Sequence, residues 1–153
     1  MERDHFEIQN LVGALAALVD TRDWPRLTDL FAPTVRVDYT SLFGGSPADT
    51  AAADLVAGWR AFLPFFERTE HLIGIPFISV AGDRGHASAS VVAWHIAPPS
   101  RVPAGADRVW MVGGRYEIDA ARSGRGWAIA GLTLANAWQE RNVELPRLAR
   151  GPA

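Results

Sequence analysis

The chain has 153 residues with no cysteine, and all fifteen of its basic side chains are arginine. Disulfides, thiolate nucleophiles, Schiff-base lysines and the P-loop lysine are therefore excluded, leaving His, Asp, Glu, Tyr, Ser, Thr or a borrowed cofactor for any chemistry. A net charge of −2 and a pI near 6.1 give no electrostatic footprint for nucleic acid or an anionic membrane, and 48% apolar residues fit one globular domain.

Ile8, Leu11, Leu15 and Leu18 recur at helical spacing and predict an amphipathic helix from about Asp4 to Asp20. Its apolar run, Ile8 to Val19, is too short to span a bilayer and is interrupted by Gln9 and Asn10. With no basic region before it and no cleavage site after it, the run is not a signal peptide, and the protein is expected in the cytoplasm. Thr21-Arg22 breaks this helix. Asp23 is then placed to cap a short second helix, with Pro25 in its first turn and Leu27, Leu30 and Phe31 facing inward. Ala32-Pro33 ends it.

Residues 35–40 alternate as a strand, with Val35, Val37 and Tyr39 on one face. Tyr39 is thus expected towards the core and Asp38 towards solvent. Residues 43–47 read as a loop, and Asp49 or Thr50 as the cap of a third helix running to about Phe62. Beyond Pro64 strands are expected at 69–81, 86–97, 108–121 and 127–139. Hairpin turns at Gly82–Gly85 and Ser123–Gly126 join them, and a proline-rich loop fills 98–106. Gly74, Gly113 and Gly114 inside these strands predict bulges or bends. Three helices followed by a four-stranded antiparallel meander make an α+β pattern, with one domain over 1–143 and a tail over 144–153.

Of the four histidines, none pairs at the i, i+4 spacing of a helical metal site, and no HExxH occurs. A hairpin loop of three or five residues centred on Asp83 would set His71 opposite His95 on one face. A two- or four-residue loop would put them on opposite faces, and both registers remain open. Their neighbours Leu72, Ile73, Ile75, Val91, Ala93 and Ile96 are apolar, so either imidazole is expected to be buried and in need of hydrogen-bond partners. A satisfied core histidine is the plain alternative to a catalytic one. His86 and His5 are expected to be exposed and frayed, and neither is a candidate. Asp20 ends a helix, where the dipole disfavours a carboxylate, so a buried cation or imidazole would compensate it. The helical wheel argues the other way, placing Asp20 roughly 140° from the Leu11/Leu15/Leu18 stripe.

The segments Leu18–Leu27 and Ala32–Ser41, then Glu70–Gly74, the strand carrying His95, and Trp127–Leu132 resemble the scytalone dehydratases. These belong to the SnoaL-like group of the nuclear-transport-factor-2-like superfamily, and the resemblance runs from about Ile8 to Trp138. It implies a cone-shaped, curved mixed sheet wrapped around a pocket, with three helices in the N-terminal half. It also implies an Asp–His pair at Asp20 and His71, a second histidine at His95 and a tyrosine at Tyr39, with the same pairing found in hexachlorocyclohexane dehydrochlorinase. A substrate-binding set of Val19, Trp24, Leu42, Phe43, Phe62, Trp110 and Val112 follows. Two of these depart from the pattern: Val19 stands where a tyrosine is expected, and Val112 near where a substrate-binding amide is expected. The implied activity is elimination of water, or a similar leaving group, from a small cyclic hydroxy-ketone or polyketide-like substrate, without metal or cofactor. A polyketide cyclase, a ketosteroid-isomerase-like isomerase and a non-catalytic small-molecule-binding domain are the alternatives. A homo-oligomer, trimer or dimer, is expected.

Overall fold

The computed structural model describes residues 2–151, so the last two residues of the expected tail lie outside the described residues. Helix α1 (Glu2–Thr21) buries Ile8, Leu11, Val12, Leu15, Leu18 and Val19. That arc is wider than the Leu11/Leu15/Leu18 stripe, because Val12 and Val19 extend it towards Ala16 and Asp20. Helix α2 (Trp24–Asp29) starts as expected at Asp23, whose carboxylate accepts the Arg26 amide at 3.3 Å. It stops two residues before Phe31. Phe31 instead opens strand β1 (Phe31–Asp38), where it is buried with its ring 5.9 Å from that of Trp59.

The segment after β1 departs from expectation. Residues 40–43 form a one-turn helix, α3 (Thr40–Phe43), in place of the start of a loop. Residues Ala48–Ala51 form a strand, β2, antiparallel to β1, and helix α4 (Ala52–Phe62) is preceded by Ala51 with no side-chain cap. Asp49 does not cap the helix because β1 has an open edge to fill. Asp49 lies opposite Arg36 in that ladder, with 3.5 Å between carboxylate and guanidinium.

A 3-10 turn at Leu63–Phe65 leads into β3 (Arg68–Ile73), β4 (Phe77–Ala81), β5 (Arg84–Ile96), β6 (Val109–Ser123) and β7 (Gly126–Arg141). The sheet is seven-stranded and mixed, in the order β2-β1-β7-β6-β5-β3, with β4 also paired to β5. Only β1–β7 is parallel. The four-stranded meander is thus present but enlarged, since β1 and β2 extend it beyond β7. The sheet is curved and unclosed, and the fold is α+β. A final helix, α5 (Leu145–Arg150), lies in the expected tail and packs onto the body through Leu145, which is fully buried.

Gly74-Ile75-Pro76 interrupts what the sequence suggests as one long strand, and this sets the histidine register. The β4–β5 hairpin closes with a two-residue loop, Gly82-Asp83, with Gly82 at φ +59. Carried on unbroken, that register would put His71 and His95 on opposite faces. The break slips the pairing by one residue, so Thr69 faces His95 and His71 faces Ala93. His71 and His95 therefore share a face, as the three- or five-residue loop would have set them, but as diagonal neighbours and not as a directly opposed pair. Gly113 and Gly114 mark a bulge as expected: the β6–β7 register shifts between them, and a side chain at Gly113 would collide with the Trp138 indole.

Candidate active site

Strand β3 is at the sheet edge, so alternate amides point away from the ladder. The His71 amide is one of them, and it donates to Asp20 Oδ2 at 2.7 Å. Thr69 and His71 lie on one face of β3 and reach the other carboxylate oxygen, Oδ1, through the Thr69 hydroxyl at 2.9 Å and the His71 ring Nδ1 at 2.7 Å. One short stretch of strand thus supplies three donors to a carboxylate at the unfavourable end of a helix. Burial pushes the Asp20 carboxyl up, but the His71 ring, its charge, its amide and the Thr69 hydroxyl outweigh that and hold it below its ordinary value. An ionised Asp20 can only accept, so this contact sets a proton on His71 Nδ1 and leaves Nε2 as the ring nitrogen not engaged by the carboxylate.

His95 lines the same cavity and is 5% exposed, with its ring 5.6 Å from that of His71 and nearly perpendicular. The Trp110 indole covers it at 4.3 Å and Phe66 packs against it at 5.1 Å. Burial first, and then a charge on His71, draw its pKa down to about 3, against weaker opposite pulls from the Trp110 backbone and Asp20. His95 is therefore neutral at pH 7, and its buried Nδ1 has no hydrogen-bond partner among the described residues. Trp110 is held in turn by its indole N–H, which donates to Gln139 Oε1 at 2.9 Å.

Tyr39 follows β1 and begins α3, whose single turn swings Leu42 and Phe43 over the cavity. Its phenol bonds that of Tyr116 on β6, and burial raises the pKa of both hydroxyls. Asp38, expected towards solvent, binds locally, accepting from the Thr40 hydroxyl and amide at 2.7 and 3.0 Å. The cavity is partly open to solvent. Every side chain lining it other than His71, His95 and the two tyrosines is apolar or aromatic, and none is charged. The Arg150 guanidinium lies 4.1 Å from the centre of the Phe43 ring.

The four expected catalytic residues, Asp20, His71, Tyr39 and His95, therefore converge. Of the residues named for substrate binding, Val19, Leu42, Phe43, Phe62, Trp110 and Val112 line the cavity. Trp24 does not: it opens α2 and packs against the core from outside, because a residue at the first turn of that helix faces away from the sheet's hollow. Two polar residues of the site escaped the sequence. Thr69 is signalled only by sharing the parity of His71, and Tyr116 by sharing that of Val112 and Ile118 on β6. His86, expected to be exposed, is half-exposed, with each ring nitrogen on a carboxylate. Among the described residues no group of three His, Cys, Asp or Glu side chains is placed to hold a metal ion.

Comparison with known proteins agrees with this architecture. A dehydratase of Pestalotiopsis microspora is 37% identical over 75 residues, which span 42% of this chain and 46% of that enzyme. The crystal structure of a Kribbella flavida protein superimposes with a TM-score of 0.90 at 30% identity, covering 95% of this chain and 98% of its own. A nuclear-transport-factor-2-like protein of Salmonella enterica superimposes with a TM-score of 0.73 at 14% identity, covering 90% and 93%. Residues 3–133 match the SnoaL-like domain family. The chain belongs to that family, on a nuclear-transport-factor-2-like fold.

Proposed function

We propose that the protein is a dehydratase-type lyase in which His71, gripped by Asp20, is the general base. The observation that carries this reading is the 2.7 Å contact in which His71 Nδ1–H donates to Asp20 Oδ1, leaving Nε2 as the lone-pair nitrogen of a cavity-lining imidazole. His71 Nε2 takes a proton from the carbon beside a ketone, and Asp20 stabilises the imidazolium that forms. The Tyr39–Tyr116 pair donates to the ketone oxygen as it gains negative charge. The C–H electron pair then becomes the new double bond as the β C–O bond breaks. The departing hydroxide takes back the proton held on His71, and water leaves. His95 is neutral, so it offers a hydrogen bond but not the proton of a cationic acid. A single base that also returns the proton closes the cycle without a second acid.

The uncharged, aromatic lining supports a neutral, flat substrate, a small cyclic hydroxy-ketone of polyketide type. The dehydratase of Pestalotiopsis microspora adds a like-named relative over part of its length. The test is incubation with a panel of cyclic hydroxy-ketones, read by mass spectrometry. Loss of water by the wild type is expected, falling by at least about 10²–10⁴-fold in a folded His71→Ala variant. Full turnover by that variant would remove His71 as the base. A product of unchanged mass would replace elimination with the isomerase or cyclase reading.

The outer sheet face supports a homo-oligomer. Leu72, Val92 and Trp138 line up in one row across β3, β5, β6 and β7, Trp138 lying over Gly113, and Leu72 is 63% exposed. Among the described residues no helix is long and apolar enough to cross a membrane, and a cytoplasmic location remains part of this proposal.

A further inference from the structure

The bonds between Asp20 and β3 join two segments far apart in sequence, and something must hold those segments in place. Helix α1 ends in a left-handed turn: the Arg22 amide returns to Val19 O at 3.1 Å and the Asp23 amide to Leu18 O at 3.0 Å. Arg22 occupies the left-handed position with φ +58, where glycine is the usual residue. Its half-buried guanidinium crosses to the 3-10 turn before β3, where Nη2 donates to the carbonyl oxygens of Phe66 and Leu63. Arg22 follows Asp20 by two residues, and Phe66 precedes Thr69 by three. The guanidinium therefore closes a loop of contacts: Asp20 to Arg22 along the backbone, Arg22 to Phe66, Phe66 to Thr69 and His71 along the chain, and both of these back to Asp20. The Phe66 ring also packs against His95 at 5.1 Å, so the same contact bears on the second histidine.

We propose that Arg22 is a positioning residue that sets the Asp20–His71 pair by clamping the end of α1 to the entrance of β3. A helix terminator needs only the left-handed backbone, which glycine adopts without strain. An arginine there is explained by what its side chain reaches. The inference rests on the Asp20–His71 base proposed above, so its test needs a readout that does not depend on turnover.

The test compares wild type with Arg22→Gly, which keeps the turn and removes the guanidinium, and with Arg22→Lys, which keeps one donor group. The first readout is the proton NMR signal of His71 Nδ1–H, assigned by its loss in His71→Ala and its change in Asp20→Asn. The clamp predicts a slowly exchanging signal in wild type that broadens and exchanges faster in Arg22→Gly and is partly restored in Arg22→Lys. On a substrate that the wild type dehydrates, kcat should fall about tenfold to a hundredfold in Arg22→Gly with KM little changed. An Arg22→Gly protein that keeps the wild-type signal and kcat while melting at a lower temperature overturns the proposal and leaves Arg22 a stabiliser only. A wild-type spectrum in which no His71 signal responds to Asp20→Asn would sink the base itself, and the clamp with it. A normal signal in wild type with no dehydration of any substrate would count against the lyase reading alone, and the NMR comparison would still decide the clamp.

Discussion

His95 and His86 lie on the same strand, β5, and meet opposite environments. His95 points into the cavity between Trp110, Phe66 and His71, with no carboxylate on its ring, and is held neutral with a pKa of about 3. His86 points outward, its Nδ1 2.9 Å from Asp119 and its Nε2 3.0 Å from Glu117. Asp119 above all, with Glu117, raises its pKa against a modest cost of burial. Strand parity alone separates an imidazole starved of charge from one surrounded by it. The cavity side of the sheet can therefore position protons, while the outer side trades in ordinary surface ion pairs.

The contrast can be broken most sharply at the phenol pair. Tyr116→Phe removes one cavity hydroxyl and leaves the ring in place, so kcat for dehydration should fall by about 10²-fold, with about 1–3 kcal/mol of stability lost because the buried Tyr39 hydroxyl loses its partner. Steady-state kinetics alongside thermal melting would show it, and an unchanged kcat would take Tyr116 out of the reaction. A smaller effect concerns His95. Its folded pKa lies below the ordinary 6.5, so between pH 6.5 and about 3 the unfolded chain takes up a proton that the folded chain refuses. That part of the stability is complete above pH 6.5 and is lost as pH falls. Urea unfolding at pH 5 should show about 2 kcal/mol less stability from this group than at pH 7. In His95→Phe that slope should vanish, and equal slopes would show that the ring is not kept neutral. The smallest effect is on the outer face. The raised pKa of His86 gives a contribution that is full below pH 6.5 and fades as pH rises through its elevated folded value. His86 is 44% exposed, so solvent screening keeps the difference between wild type and His86→Gln at pH 5 below about 1 kcal/mol, and 1 M salt should erase it.

Much of the site was legible because it rests on patterns local in sequence. Apolar spacing finds α1 and so brings Val19 and Asp20 to its end; alternation in 35–40 points Tyr39 inward; apolar neighbours bury His71 and His95. What was hidden depends on contacts between distant segments. The wheel turned Asp20 away from the core, and it took an edge-strand amide and two side chains of β3 to give it partners. Tyr116 reads as an ordinary strand residue until the β5–β6 register sets it inside, opposite Ala89. Arg22 was hidden because a left-handed helix end usually announces itself with glycine. The strand β2 was missed because Asp49 and Thr50 look like helix caps to local rules, which do not see the unpaired edge of β1.

The interruption at Gly74-Ile75-Pro76 carries a lesson for engineering and for divergence alike. Deleting or inserting one residue there would leave the composition of both neighbouring strands intact and still rotate His71 out of reach of its carboxylate. The proposed reactive centre is thus keyed to a count of backbone units between two strands as much as to the chemistry of any side chain, and length changes at this bend should separate the Asp20–His71 pair even in relatives that keep every functional group.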